Sequence, residues 1–127
     1  MILPIITIAS SPNRGRGVFA TEAIQMNTTI EIAPVIVLTK EHRSIVEQTL
    51  LYDYFFEWGE DQKSAAVALG YVSIYNHAVY PNCEYEMDYD HETISIIAIK
   101  DIKVGDELFI NYNAEIDQES PVWFEQH

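Results

Sequence analysis

The stretch Tyr75-Asn76-His77-Ala78-Val79-Tyr80-Pro81-Asn82-Cys83 constrains the fold more than any other segment of the chain. Asn76 and His77 directly follow Val72-Ser73-Ile74, so two polar side chains come after a segment that favours burial. Asn both donates and accepts hydrogen bonds, which suits a ligand with amino and carboxylate groups. His77 is either a base or metal ligand, or a core histidine held by a hydrogen bond, and the second interpretation is the more common for a lone His.

Two glycine-containing motifs lie on either side of this stretch. Upstream, Gly15-Arg16-Gly17-Val18-Phe19 places two glycines one residue apart, and glycine lets the backbone approach a ligand closely or adopt a positive φ. It is not a dinucleotide-binding fingerprint, because a third glycine and a following helix are missing. Downstream, Gly105-Asp106-Glu107-Leu108-Phe109-Ile110-Asn111-Tyr112 predicts a turn and a strand that ends in an aromatic residue. Each motif taken alone is usually structural.

The remaining pattern predicts a mainly β chain of short strands. A short helix fits residues 40–51, residues 64–69 are either a helical turn or a strand, and the aromatic stretch 51–58 has no clear assignment. Proline cannot donate to a sheet, so Pro34 is expected to interrupt its strand. Long helices do not alternate with strands, which excludes a doubly wound α/β fold. Strands are expected at residues 5–9, 18–20, 28–38, 83–87, 93–100 and 108–112.

Length, charge and cysteine content narrow the class of protein. The 127 residues fit one domain, and the net charge of −13 argues against direct nucleic-acid binding, which needs Lys and Arg. The charge favours a basic protein or peptide as partner, unless the acidity serves solubility alone. The single cysteine, Cys83, excludes an intrachain disulfide and predicts an intracellular location. A signal peptide and an apolar run of about 18 residues are both missing, so no membrane association is expected.

Taken together and in this order, the three motifs resemble the SET-domain family of protein lysine methyltransferases. Gly15-Arg16-Gly17 is similar to the GxG of that family, and Asn76-His77-Ala78 with Pro81-Asn82 is similar to its NHS/C-x-x-PN. Gly105-Asp106-Glu107-Leu108 with Tyr112 is similar to its GEEL-x-x-x-Y. The likeness spans residues 8–112 and is greatest to the smallest viral and bacterial members, which lack pre-SET and post-SET modules.

Two positions depart from the family pattern. Ala78 stands where Ser or Cys is usual, and Asp106 replaces the first Glu of the GEEL stretch. Neither change removes a side chain to which the resemblance gives a role in the reaction.

The resemblance implies a mainly β, SET-domain (β-clip-like) fold of several small sheets over residues 1–127. A pseudoknot-like C-terminal threading would bring the Asn76 and Tyr112 segments together. In larger relatives a cysteine-rich zinc cluster after the domain closes the lysine channel, and this chain lacks those cysteines. Either the tail 113–127, with Trp123 and Phe124, or the second subunit of a homodimer would then close it.

The resemblance further implies methyl transfer from S-adenosylmethionine to a lysine side chain. The main chain of the Gly15-Arg16-Gly17 motif would contact the methionine part of the cofactor, and Asn76 its amino group or nearby backbone. His77 would hold the adenine through main-chain groups while its ring fixes the loop. Trp123 or Phe124 would stack on the adenine. The implied cofactor-binding residues are Arg14, Gly15, Arg16, Gly17, Asn76, His77, Trp123 and Phe124.

The lysine channel implied by the resemblance is lined by Tyr54, Tyr75 and Tyr112, with Ile110 beside it. Free lysine has a pKa of about 10.4, and a narrow apolar channel would lower this pKa by disfavouring the charged amine. Tyr112 is the expected catalytic residue, because its hydroxyl can orient the amine although it is a poor base. Ile110, two residues earlier, would leave room for a methylated amine, so that more than one methyl group could be added.

Three other interpretations stay open on the sequence alone. A SET-like module could bind basic peptides without turnover, although it would have no need of the glycine pair, Asn76 and Tyr112. A metal-dependent hydrolase would have to use His42, His77, His91 and His127, which share no ligand spacing. A β-rich structural domain would bind nothing. The expected substrate is a histone, a histone-like protein or another basic protein, and the expected location is the cytoplasm of a bacterium or, alternatively, a nucleus.

Overall fold

Nine β-strands form two sheets in the computed structural model, which describes residues 1–12 and 14–112. The strands are β1 Ile6–Ser11, β2 Gly15–Ala20, β3 Thr29–Leu38, β4 Phe55–Trp58, β5 Ser64–Ala68, β6 Asn76–His77, β7 Cys83–Asp88, β8 Thr93–Ala98 and β9 Glu107–Ile110. The helix α1 spans Lys40–Val46, and two short 3₁₀ helices span Leu50–Asp53 and Val72–Ile74. The mainly β prediction is therefore confirmed.

The individual elements differ from the predictions in a few places. Strand β2 begins at Gly15, three residues before the strand expected at 18–20, and residues 64–69 contain strand β5, one of the two alternatives. Pro34 does not interrupt β3. It pairs with Thr93 of β8 at the last position of that ladder, and the ladder to β5 begins at the next residue, Val35. The proline thus lies where β3 changes partner, so a missing N–H is tolerated.

The smaller sheet brings all three sequence motifs together. Its strand order is β1-β2-β9-β6, so the glycine motif on β2 and the Asn-His pair on β6 both pair with β9. Strands β6 and β9 are parallel, with Asn76 opposite Phe109 and His77 opposite Ile110. Parallel neighbours need a long crossover, and residues 78–106, which contain the β7–β8 hairpin, supply it. This pairing brings the Asn76 and Tyr112 segments together, as expected.

The larger sheet supplies most of the hydrophobic core. Its order is β4-β5-β3-β8-β7, and buried and partly exposed residues alternate along β8. Ile94, Ile96 and Ala98 of β8 are all 0% exposed and pack in one cluster with Val18 and Leu108 of the smaller sheet. The two sheets therefore share a core, and the site at their junction rests on rigid elements.

Replacing Ile94 with alanine is expected to lower the free energy of unfolding by about 2–5 kcal/mol, because it removes a fully buried side chain and leaves a cavity. Urea unfolding followed by circular dichroism measures this change. The matched control is Ile36→Ala on β3, where the side chain is 53% exposed and the expected loss is below about 1 kcal/mol. Equal losses at the two positions would contradict the placement of β8 in the core.

Candidate active site

A cavity of about 360 Å³ lies where the three motifs meet, within the size range of small-molecule sites. Two arginines, an aspartate, three tyrosines and the glycine that opens β2 are among the residues that border it. Its lining residues are Arg14, Gly15, Arg16, Asp53, Tyr54, Ser73, Ile74, Tyr75, Asn76 and Tyr112. The structure thus brings together Arg14, Gly15, Arg16, Asn76, Tyr54, Tyr75 and Tyr112 from the predicted site residues.

A hydrogen-bond network beneath the glycine motif holds Asn76 in place. Its side-chain nitrogen donates to the carbonyl oxygen of Arg16 at 3.0 Å and to Oε2 of Glu107 at 2.7 Å. Ser11 donates to the other oxygen of Glu107 at 2.7 Å. Both amide hydrogens of Asn76 are therefore used within the protein, and its Oδ1 is the side-chain atom left to accept from a ligand amino group.

Gly17 is required by the close approach of this network. A Cβ at position 17 would lie 2.3 Å from Oε2 of Glu107 and 2.9 Å from the side-chain nitrogen of Asn76, closer than real Cβ contacts come. The sequence motif included Glu107 but assigned it no role. Glu107 bonds to side chains of β1 and β6 and lies against Gly17 of β2, and these contacts exist only once the strands are paired.

His77 links β6 to the segment that contains Tyr112. The ring is buried, and its Nδ1 accepts a hydrogen bond from the backbone N–H of Tyr112 at 3.1 Å. Nδ1 is thus the unprotonated nitrogen of the ring. The rings of His77 and Tyr112 stack with their centroids 5.8 Å apart. The main-chain carbonyl of His77 accepts from Arg14 at 2.7 Å, which ties the loop before β2 to the same point.

Tyr112 is held on several sides. Its hydroxyl donates to the main-chain carbonyl of Tyr75, and its ring lies 5.8 Å from that of Phe56. Its own carbonyl accepts from the hydroxyl of Tyr85 at 3.1 Å. Burial, and to a smaller degree the nearby Glu57 carboxylate, raises the pKa of Tyr85 to about 12, so that this phenol keeps its proton and remains a donor near neutral pH.

Two of the predicted channel residues are fully buried. Tyr75 is 0% exposed and its hydroxyl donates to Glu31 in the core at 3.2 Å, although the residue also borders the cavity. Ile110 is 0% exposed, belongs to the core cluster and is not among the residues that line the cavity. Strand β9 alternates, and Leu108 and Ile110 both point inward. A place for Ile110 beside the lysine channel, with room for a methylated amine, stays a prediction.

Trp123 and Phe124, the predicted partners of the adenine, lie outside the described residues, as does the whole tail 113–127. Within residues 1–12 and 14–112, no three His, Cys, Asp or Glu side chains come close enough together to hold a metal ion. A metal-dependent hydrolase therefore finds no support in that part. In the same described ranges, no helix has the length and apolar character needed to cross a membrane.

Comparison with known proteins agrees with this geometry. Residues 15–113 match the SET domain. The chain is 35% identical over 130 aligned positions, covering 98% of it and 83% of the relative, to a Schizosaccharomyces pombe protein named histone-lysine N-methyltransferase, H3 lysine-37 specific. A Plasmodium falciparum protein put forward as a histone methyltransferase has 28% identity and a TM-score of 0.69, with 97% of this chain and 99% of that chain covered.

A second solved structure has a bound cofactor. It is a chain of the Chaetomium thermophilum Polycomb Repressive Complex 2 in an autoinhibited conformation, bound to S-adenosylmethionine. The likeness has 27% identity and a TM-score of 0.71, and it covers 84% of this chain and 15% of that one.

Fold, site and relatives together define a methyltransferase of the SET class, and the chain belongs to the SET domain family. Its activity is the transfer of a methyl group from S-adenosylmethionine to the side-chain amine of a lysine in another protein. The family resemblance based on the three motifs and the SET-domain fold are thereby confirmed. A module that binds peptides without turnover is not favoured.

Proposed function

We propose that this chain methylates a histone lysine, with S-adenosylmethionine in the cavity described above and the lysine amine presented at Tyr112. The observation that carries this proposal is the meeting of the three motifs at one cavity, with the Tyr112 hydroxyl at its wall. The relative from Schizosaccharomyces pombe, which is named for lysine-37 of histone H3, supports a histone as the substrate.

The donor set of the cavity suits the cofactor. S-adenosylmethionine has a carboxylate, an amino group and a positively charged sulfur. The guanidinium groups of Arg14 and Arg16 can pair with a carboxylate, whereas Asp53 and the Oδ1 of Asn76 can accept from an amino group. The main chain of Gly15 borders the cavity directly, because no side chain separates it from a ligand.

In the proposed reaction the protein orients the substrate lysine and keeps its amine uncharged. When bound, S-adenosylmethionine provides a methyl group on a sulfonium, which a neutral amine attacks in line. The Tyr112 hydroxyl donates its hydrogen to the carbonyl of Tyr75, and a phenol oxygen can accept as well as donate, here from the lysine amine. That contact would direct the amine lone pair toward the methyl group. The rings of Tyr54 and Tyr112 would exclude water from the amine, and desolvation disfavours its charged form and so lowers its pKa.

The charge of the protein favours a basic substrate. Three acidic side chains, Glu84, Glu86 and Asp88, occupy alternate exposed positions on β7, an edge strand of the larger sheet. Tyr85, which alternates with them on β7, points to the other face of the strand and bonds to the carbonyl of Tyr112, so the acidic strip lies on the outer face of the strand that supports the Tyr112 segment. Such a strip attracts the lysines and arginines of a histone tail. A histone substrate would also imply an intracellular, nuclear site of action.

Incubation with S-adenosylmethionine labelled in its methyl group and purified core histones tests the proposal. We expect label in histone H3, and none with Tyr112→Phe. An H3 variant with lysine 37 replaced by arginine then tests whether this chain shares the site for which its relative is named. Absence of label on all four core histones with folded protein would refute the histone proposal, and label on another basic protein would redirect it.

A further inference from the structure

Glu31 is a carboxylate with no exposed surface, and the chemistry described so far does not use it. It lies on β3, where the alternation of a strand would turn either Ile30 or Glu31 outward. Both residues are buried, because the register of β3 against β8 shifts between Thr29 and Glu31. An irregularity of this kind re-aims one side chain. The backbone of β3 thus directs a charged group into the interior.

The two oxygens of Glu31 bind opposite ends of one short turn. Oε2 accepts from the backbone N–H of Tyr71 at 2.7 Å, and Oε1 accepts from the hydroxyl of Tyr75 at 3.2 Å. Tyr71 and Tyr75 are the residues that flank the 3₁₀ helix Val72–Ile74. A Cβ on Gly70 would lie 2.4 Å from Oε2, so the chain approaches this carboxylate closely just before the turn.

The same turn forms one wall of the cavity. Ser73, Ile74 and Tyr75 all line it, and Ser73 donates to the main-chain carbonyl of Tyr54 at 2.8 Å. The carbonyl of Tyr75 accepts the hydroxyl of Tyr112. Contacts therefore run without a gap from Glu31 through Tyr75 to the residue that would orient the lysine amine.

We propose that Glu31 is a positioning residue for methyl transfer, which holds both ends of the Val72–Ile74 turn so that the Tyr75 carbonyl meets the Tyr112 hydroxyl. This inference rests on the role proposed for Tyr112. Burying a carboxylate costs free energy even when it accepts two hydrogen bonds, so packing alone does not account for a charged group at this position. Burial raises the pKa of Glu31, and the bonds from Tyr71 and Tyr75 oppose that rise.

Three variants separate positioning from packing. Glu31→Met keeps the length but removes both acceptors, so the Tyr71 N–H is left buried without a partner. Glu31→Gln is the conservative variant, because its oxygen can accept from Tyr71 while its nitrogen donates to the Tyr75 oxygen. Tyr75→Phe removes one of the two bonds and leaves the Tyr75 carbonyl in place. Glu22→Met, at an exposed position on another segment, is the matched control.

We expect Glu31→Met to lower kcat about 10- to 100-fold, since small misplacements of reacting groups have effects of this size, with KM for S-adenosylmethionine changed less than about threefold. Tyr75→Phe should lower kcat by a smaller factor than Glu31→Met. Glu31→Gln should keep most of the kcat of the unchanged protein. Amide hydrogen exchange in the ligand-free protein should show faster exchange at Tyr71 in Glu31→Met and unchanged exchange there in Glu22→Met.

A normal kcat in both Glu31→Met and Tyr75→Phe would overturn the inference. The inference would also be overturned if the loss of kcat in Glu31→Met matched the unfolded fraction measured by urea titration while Tyr75→Phe kept full activity. If Glu31→Met does not fold, the kcat of Tyr75→Phe decides. The exchange of Tyr71 is measured without substrate, so it reports on the turn even if no histone is methylated and the proposed function fails.

Discussion

Replacing Tyr112 with phenylalanine is expected to lower kcat by about 100-fold or more and to change the dissociation constant for S-adenosylmethionine by less than about threefold. The variant keeps the ring that stacks on His77 and contacts Phe56, and it loses only the hydroxyl that bonds to the carbonyl of Tyr75. The cofactor contacts proposed at the glycine motif and Asn76 do not involve this hydroxyl. Turnover on a histone peptide and calorimetry with the cofactor measure the two quantities.

The matched control for this variant is Tyr80→Phe. Tyr80 is 69% exposed and does not line the cavity, so the same loss of a hydroxyl there should leave both kcat and the dissociation constant unchanged. A collapse of cofactor affinity in Tyr112→Phe with the fold intact would contradict the assignment, because it would make the hydroxyl a binding group.

Replacing Gly17 with alanine is expected to weaken S-adenosylmethionine binding about 10- to 100-fold. The added Cβ would overlap Oε2 of Glu107 and crowd the side-chain nitrogen of Asn76, so the Glu107 carboxylate must move and Asn76 loses its fixed orientation. Overpacking of this kind costs about 1–3 kcal/mol of stability, and a loss of about 1.4–2.8 kcal/mol in binding free energy corresponds to the stated range of affinity. Calorimetric titration of the cofactor into the folded variant measures it.

Gly105→Ala controls for the general effect of removing a glycine. Gly105 has a φ of +90° and nothing within 4 Å of an added Cβ, so alanine there strains the turn before β9 and touches nothing. It should lower stability by about 1 kcal/mol and leave cofactor affinity unchanged. Equal weakening in both variants would show that the contact of Gly17 with the Glu107 network does not govern binding.

Much of the fold and of the cavity could be predicted because the three motifs, taken in order, resemble the SET-domain family. The glycine pair, the Asn-His step and Tyr112 are close in the structure, and β-branched residues correctly indicated β3 and β8. Ile110 points into the core and does not line the cavity, for a physical reason. Its expected position assumed that residues two apart share a face, but β9 ends at Ile110, so the alternation does not extend to Tyr112.

The positions of Tyr75 and Glu107 could not be predicted from local sequence. Tyr75 turns into the core because it meets Glu31, which is 44 positions earlier in the chain and is buried only through a register shift. Glu107 meets Ser11 across 96 positions. Contacts of this range depend on how the two sheets assemble, and no periodicity along one strand contains that information.

The parallel pairing of β6 with β9 has a consequence for biosynthesis. Asn76 and His77 leave the ribosome well before Phe109 and Ile110, so a nascent chain has half of the proposed cofactor site and no partner strand for it. The intervening hairpin must be made before the two strands can meet, and contacts this distant in sequence form slowly. A cofactor bound at the proposed site can therefore act as a folding ligand only after synthesis has passed residue 112.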